Sequence, residues 1–168
     1  MIQIKEKDII EAADKGVDEF LKVFTDAYIH VLEDGMTSDN MDKLNGYQHT
    51  LLAFRYFTDE IREGGFVQLI QNGYGGYIFD NPTAKALRQM GARDLSKIIY
   101  KAKEIYDANR DDLEKETDED EFMAMYEQYE QFDELEEKYM EIEEEQTYII
   151  AEYVDENIED FAEIIDKQ

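Results

Sequence analysis

The chain has 168 residues, of which 43% are apolar and 12% aromatic, and this is enough for one domain with a hydrophobic core. Its formal net charge of -26 argues against direct binding to nucleic acid or to an anionic membrane, because both carry negative charge. The chain has no cysteine, so disulfides, thiolate metal sites and a thiol nucleophile are excluded. It has no apolar run of membrane-spanning length and no signal-peptide pattern, so we expect a cytoplasmic protein.

The negative charge is concentrated in the last third of the chain. Residues 1–110 carry 18 Asp and Glu against 14 Lys and Arg, whereas residues 111–168 carry 25 against 3. Adaptation to high salt would add acidic residues over the whole surface. An excess of acidic residues confined to the last third of the chain therefore indicates a specific role for that region. We therefore expect a cationic partner, or a protein that ordinarily holds something anionic.

Helical periodicity begins near the N-terminus. Apolar residues over 9–32 recur at spacings of 3 and 4, which predicts one helix that ends at Gly35. A second helix is predicted to carry the apolar residues of 47–61 inward. It is expected to end at the double glycine, Gly64 and Gly65, which would form its C-cap.

A glycine-rich stretch, REGGFVQLIQNGYGGYIFDNP, follows that second helix. After it, Asp80 or Asn81 is predicted to cap a short helix with Pro82 in its first turn, where a missing N–H costs nothing. Gly91 is predicted to end this short helix. A further helix is predicted over residues 95–106.

The charged segment NRDDLEKET, residues 109–117, is predicted to be a loop. Asp118 and Glu121 then have the spacing of an N-cap with its capping-box partner. Apolar and aromatic residues continue at core spacing to the end of the chain, so the acidic tail is not disordered. The sequence as a whole predicts an all-α single domain over residues 1–168, with about 7–9 helices and an acidic C-terminal helical region at 111–168.

The glycine-rich stretch favours a helix end and a tight connection over a phosphate-binding loop. Its last glycines do not make G-x-G-x-x-G, because Ile78 stands where the third glycine belongs, and no Gly-Lys-Ser/Thr follows. An enzyme built around this loop would also need a concave pocket. His30 and Glu33 have the spacing of half a metal site without a matching partner motif. No catalytic, cofactor-binding or metal-ligating residue is assigned, and no cofactor is expected.

Carboxylates in the acidic region recur at helical spacing, with steps of 3, 4, 3, 4 and 3. If the segment is one helix, neighbouring side chains stand about 5–6 Å apart and the row extends roughly 26 Å. If QFDE starts a new helix, the row breaks after Glu130. The row and its flanking acids are the predicted partner-binding residues: Glu127, Glu130, Asp133, Glu134, Glu136, Glu137, Glu141, Glu143, Glu144 and Glu145.

The stretches GGFVQLIQNG and ALRQMGARDLSKIIYKA resemble the double-Gly-Phe, Gln, Asn-Gly signature of a bacterial family of unknown function whose best-known members are acidic DNA-mimic proteins. The later FDELEEKYMEIEEEQTYIIAEYVDENIEDF is similar to the closing pattern of that family, so the resemblance covers roughly residues 44–165. The chain departs from the common pattern at Glu63, at Leu69 and at GYGG. We expect a structural role for the signature residues, which are Gly64, Gly65, Phe66, Gln68, Asn72 and Gly73.

The resemblance implies an all-helical and possibly dimeric protein, in which some members occupy the DNA-binding surface of a regulator. Together with the acidic row, it favours a non-enzymatic protein that mimics the phosphate backbone of DNA. Such a protein would compete for the DNA-binding surface of a transcription regulator or nucleoid protein. The alternative is an immunity protein that neutralises a basic toxin such as a nuclease. An evenly solvated acidic face without a partner is the third interpretation of the row.

Overall fold

The computed structural model describes residues 1–167, and that part of the chain contains ten helices and two short strands. Helices account for 77% of the chain, which confirms the all-α prediction, although the number of helices exceeds the predicted 7–9. None of the helices in residues 1–167 combines the length and apolar character that crossing a bilayer requires. In chain order the elements are β1 (Gln3–Lys5), α1 (Glu6–Lys15), α2 (Val17–Val31), α3 (Ser38–Met41), α4 (Gly46–Gln71), α5 (Gly75–Phe79), α6 (Thr83–Gln89), α7 (Arg93–Glu114), α8 (Glu119–Gln128), α9 (Gln131–Glu156), α10 (Ile158–Phe161) and β2 (Glu163–Ile165).

Contacts divide the chain into two units. The first comprises residues 1–55 with the chain from Thr147 onward, and the second comprises residues 56–146. The boundaries fall inside the long helices α4 and α9. One domain over residues 1–168 stays a prediction, and each unit is described by itself below.

In the first unit, the predicted single N-terminal helix is wrong, because Gly16 separates α1 from α2. Its φ of 144° lies where side-chain-bearing residues are strained, and the helical hydrogen-bond pattern stops there. The apolar stripe continues across the break, which is why spacing alone did not reveal it. Gly35 follows the end of α2 with φ 94°, and its N–H donates to the carbonyl of Leu32 at 2.8 Å.

The core of the first unit gathers around Phe161. Its carbonyl accepts hydrogen bonds from the Tyr28 hydroxyl at 2.7 Å and from Gln48 Nε2 at 3.0 Å. Burial raises the pKa of Tyr28. Strands β1 and β2 pair in parallel, with Ile4 opposite Ile164. Three-residue strands are too short to show an alternating pattern, so the sequence did not predict them.

In the second unit, α7 extends beyond its predicted end, and the predicted loop is helical as far as Glu114. The helix is kinked at Asn109, with φ -134° and ψ 23°, and the Asn109 side chain donates to the carbonyl of Ile105 at 2.9 Å. Leu113 is fully buried and fixes the last turn of the helix. Arg110 binds the Glu114 carboxylate at 3.0 Å. The charge density of this segment suggested a loop, but a single buried leucine and an ion pair stabilise the helix.

Two predicted helix starts have different outcomes. The capping box of α8 is confirmed, because Asp118 Oδ1 accepts the N–H of Glu121 at 2.8 Å and the Glu121 side chain accepts that of Asp118. The predicted side-chain cap of α6 is wrong, because Pro82 itself occupies the N-cap position. Asp80 instead binds Arg110 through both of its oxygens, at 2.9 and 3.0 Å, and Asn81 donates to the carbonyl of Tyr77.

Candidate functional site

The predicted row of carboxylates is broken between α8 and α9. Helix α8 ends at Gln128, and Tyr129 leaves the helical conformation with φ -117° and ψ 41°. Glu127 therefore belongs to α8, and Glu130 lies in the turn before α9. Tyr129 is buried, and its hydroxyl donates to the Asp112 carboxylate. The sequence left two alternatives open, one continuous row of about 26 Å and a row that breaks after Glu130, and the structure has a break, in the turn formed by Tyr129 and Glu130.

The exposed carboxylates that begin α9 lie on one side of that helix. At 3.6 residues per turn they fall within an arc of about 120° around the helix axis. All of them are exposed to solvent. We call this set the α9 acidic face, and its members are Asp133, Glu134, Glu137, Glu141, Glu144 and Glu145.

The opposite side of α9 is buried, and its aromatic contacts fix the direction of the acidic face. Phe132 stacks on Phe66, with ring centres 5.1 Å apart and planes at 24°. Tyr139 meets the ring of Phe57 edge-on at 5.1 Å, and its hydroxyl shares a hydrogen bond with that of Thr58. Rotation of α9 would expose these rings, so burial of aromatic surface holds the carboxylates in solvent.

The average charge density of the α9 acidic face is close to that of one strand of DNA. Twelve residue steps, from position 133 to position 145, span about 18 Å, so the six carboxylates average one per about 3.6 Å along the axis, with individual gaps of about 1.5–6 Å. Each DNA strand carries one phosphate per roughly 3.4 Å of helix axis, and the two strands together carry one per roughly 1.7 Å. The face therefore presents the charge density of one strand.

Two of the predicted partner-binding residues, Glu136 and Glu143, contact helix α4 within the second unit. Glu136 Oε1 accepts the N–H of Phe66 at 2.8 Å, and burial raises the pKa of this carboxyl. Glu143 is 15% exposed and pairs with Arg62. These carboxylates hold α9 against α4, and they are separate from the α9 acidic face.

The double glycine accommodates both the kink in α4 and the Glu136 carboxylate. Gly65 has φ 82° and ψ -168°, so the helix is interrupted and resumes at Phe66. A β-carbon on Gly65 would lie 2.1 Å from Glu136 Oε1, and one on Gly64 would lie 2.0 Å from Gln68 Oε1. Both positions exclude larger side chains, so the predicted C-cap is instead a kink stabilised by a carboxylate.

The remaining signature residues complete the same helix. Gln68 Nε2 and Asn72 Nδ2 each donate to Glu60 Oε2 at 2.9 Å. Gly73, with φ 90°, ends α4 in a Schellman motif. Its N–H donates to the carbonyl of Ile70, and the N–H of Tyr74 donates to the carbonyl of Leu69. The signature residues thus lie in one connected structural arrangement around α4.

Sequence reasoning did not find the partners of these residues. Glu60 accepts both signature amides, Arg62 pairs with a carboxylate 81 positions away, and the Tyr126 hydroxyl donates to the carbonyl of Gly64 at 2.8 Å. The pairs Arg62–Glu143 and Gly64–Tyr126 are 81 and 62 residues apart, and separations of this length leave no local pattern. The only available signal was the position of Glu60 and Arg62 just before the double glycine, on the predicted second helix.

A pocket of about 290 Å³ lies at the edge of the α9 acidic face. Its lining combines Ile61 and Met140 with the carboxyl-bearing residues Asp133, Glu136 and Glu137. Met140 is 60% exposed, which leaves apolar surface beside the carboxylates. The pocket can therefore accept a side chain with an apolar stem and a cationic end.

The sequence offered one half of a metal site, His30 with Glu33. Within residues 1–167, no group of three or more His, Asp or Glu side chains is placed to hold a metal ion. His30 Nδ1 and Glu33 Oε2 are 3.9 Å apart on the surface, as one exposed pair.

Comparison with known proteins agrees with the family resemblance inferred from the signature. A family model described as DMP19-like protein matches residues 42–157. The chain is also similar to the "DNA mimic protein DMP19" of Neisseria meningitidis serogroup B (strain ATCC BAA-335 / MC58). The identity is 36% over 146 residues, which cover 86% of this chain and 87% of that protein. The resemblance inferred from the sequence is confirmed. The chain therefore belongs to the DMP19-like protein family.

Proposed function

We propose that this chain is a non-enzymatic protein that mimics the phosphate backbone of DNA. It would compete for the DNA-binding surface of a transcription regulator or nucleoid protein. The observation that carries the proposal is the α9 acidic face, with six exposed carboxylates at the average axial charge density of one DNA strand. The name of the Neisseria relative, a DNA mimic protein, supports the same function.

The mechanism is competition for the same cationic side chains. Lys and Arg that contact phosphates in a protein–DNA complex also form charge-assisted hydrogen bonds with carboxylates. An ordered helix fixes the backbone positions of the carboxylates before binding, so no backbone order has to be gained, and the remaining cost is about 0.5–1.5 kcal/mol for each side chain that is immobilised. The partner then cannot hold DNA and this chain at the same surface.

Choice of partner would come from the apolar contacts beside the charges. Electrostatic complementarity brings many basic surfaces to an acidic one, and it gives rate and orientation more than selectivity. Met140 and Ile61 line the pocket next to the α9 acidic face and offer a packing contact that DNA lacks. We therefore assign partner discrimination to this pocket.

Capture from native cell lysate tests the proposal. The immobilised protein is incubated with lysate at low salt, washed, and eluted with duplex DNA. One variant, E137Q/E141Q/E144Q, removes three charges from the α9 acidic face. The matched control, E63Q/E104Q/E116Q, removes three exposed charges from the same unit outside that face.

The expected result is capture of a DNA-binding protein that is released by duplex DNA. The control variant should still capture this protein, whereas the face variant should not. A partner that duplex DNA fails to release would contradict competition. Equal loss from both variants would mean that net charge, and not the face, holds the partner. A captured nuclease whose activity the chain inhibits would favour the immunity role instead.

A further inference from the structure

A groove of about 340 Å³ lies in the first unit, beside the break between α1 and α2. Its lining includes the buried Phe20 and Ala151 together with Val17 and Tyr148, which are 37% and 59% exposed. We propose that this groove, which we call the Phe20 groove, holds the apolar face of a cationic amphipathic helix from a partner protein. The Phe20 groove and the α9 acidic face belong to different units, so this inference does not depend on DNA mimicry.

The apolar part of the groove is suited to side chains at helical spacing. Tyr148 and Ala151 are three residues apart on one side of α9, and Val17 and Phe20 are three apart on α2. Ala13 contributes to the lining from α1. A helix that places apolar residues at i, i+3 or i+4 and i+7 fills such a groove by packing alone.

The charge at the groove fixes the character of the partner. Glu152 and Asp155 line it, and they lie on the same side of α9 as Tyr148, at i+4 and i+7 from it. The Glu19 carboxylate lies against Gly16, where a β-carbon would be 2.7 Å from its Oε2. Among the residues that the structure describes, those lining the groove include no Lys or Arg.

A second copy of the chain is a poor occupant of the Phe20 groove. In a two-fold contact the same patch meets itself, so the groove that holds Glu152 and Asp155 would be brought against a second groove with the same two carboxylates. Like charges brought together at an interface disfavour the contact. A cationic helix gains from the same carboxylates, and its Lys or Arg can also lie over the Tyr148 ring.

Binding of a designed peptide tests this assignment. The probe is a capped helical peptide of leucine and lysine whose leucines form one apolar face, and its control has the same composition with the leucines scattered. Affinity is measured by fluorescence anisotropy at about 0.15 M salt, where exposed charges are partly screened. V17S/Y148S removes apolar surface from the groove, and Y100S/M123S removes exposed apolar surface from the second unit.

The amphipathic peptide is expected to bind at least about tenfold more tightly than the scattered one, because only it buries an apolar face. V17S/Y148S should abolish that difference, whereas Y100S/M123S and E137Q/E141Q/E144Q should keep it. Thermal unfolding verifies that every variant is folded. Equal binding of the two peptides, or an unchanged difference in V17S/Y148S, would overturn the assignment. Sedimentation that shows a dimer dissociated by V17S/Y148S would assign the groove to a second copy and would also overturn it.

Discussion

Gly65 connects the kink in α4 to the placement of α9. Its φ of 82° with ψ -168° belongs to a region that only glycine occupies readily. The Glu136 carboxylate lies where a β-carbon would be and accepts the N–H of Phe66. One half-buried carboxylate therefore stabilises the start of the second segment of α4 and fixes one side of α9.

Gly65→Ala should lower the free energy of unfolding by about 1–3 kcal/mol from backbone strain, and further because Glu136 has to move. Gly73→Ala shares the positive φ, but among the described residues nothing lies within 4 Å of its β-carbon position, so it should cost less. Gly46→Ala, at an open position without positive φ, should be neutral or slightly stabilising. Urea denaturation measures all three, and an equal loss at Gly65 and Gly73 would contradict the steric role of Glu136.

Glu136 should also make stability depend on pH. Burial raises the pKa of this carboxyl above its ordinary value of 4.5, although the Phe66 N–H opposes the shift. The stability that its protonated form contributes is present below pH 4.5 and is lost as pH rises through the raised pKa. Relative to Glu136→Gln, which keeps an acceptor for Phe66, wild type should therefore become less stable between pH 4.5 and neutrality. Unfolding midpoints of wild type and Glu136→Gln across this pH range test the prediction. A difference in stability between the two proteins that stays constant with pH would contradict it.

Helix α9 places like charges next to one another on the α9 acidic face. Glu137, Glu141 and Glu144 each stand three or four residues from other carboxylates, and such pairs destabilise a helix. Lys138 is the single basic residue between Glu127 and the end of the face at Glu145. A face shaped for stability alone would alternate charges.

E137Q/E141Q/E144Q should therefore raise the free energy of unfolding by about 1–2.5 kcal/mol at low salt, since five like-charge pairs at about 0.2–0.5 kcal/mol each are removed. The gain should shrink as salt is added. E63Q/E104Q/E116Q should change stability less, because these residues are far apart in sequence. Denaturant titration at low and high salt checks this, and a loss of stability in the face variant would mean that its carboxylates make internal contacts.

Prediction from sequence succeeded where the determinant is local and failed where it is distant. The capping box at Asp118 depends on residues three apart and was found. The helical end of α7 and the turn at Tyr129 depend on the buried side chains of Leu113 and Tyr129. The α9 acidic face follows from spacing, whereas the contacts of Glu136 and Glu143 depend on partners 70 and 81 residues away.

At the scale of the whole molecule, the charge is divided unequally along the chain. Residues 111–168 hold 25 of the 43 acidic residues and 3 of the 17 basic ones. Such a chain attracts cationic surfaces over distances of about 8–10 Å at moderate salt. On the proposed function, the acidic residues on the ordered helix α9 would then determine which cations can be paired.

Binding to the captured partner should weaken with salt in proportion to the number of ion pairs formed. The logarithm of the affinity is expected to fall linearly with the logarithm of salt concentration, because bound counterions are released. The slope should be shallower for E137Q/E141Q/E144Q than for E63Q/E104Q/E116Q. Isothermal titration at several salt concentrations measures both slopes. A partner bound equally tightly at low and high salt would contradict binding through charged side chains.

Displacement of labelled duplex DNA from the purified partner tests the central claim most directly. Wild type and E63Q/E104Q/E116Q should release the duplex, with a midpoint that rises in proportion to the DNA concentration. E137Q/E141Q/E144Q should need about 10–100-fold more protein, from three lost ion pairs of roughly 0.5–1 kcal/mol each. A partner that keeps its DNA while binding this chain, or a face variant as effective as its control, would contradict the account.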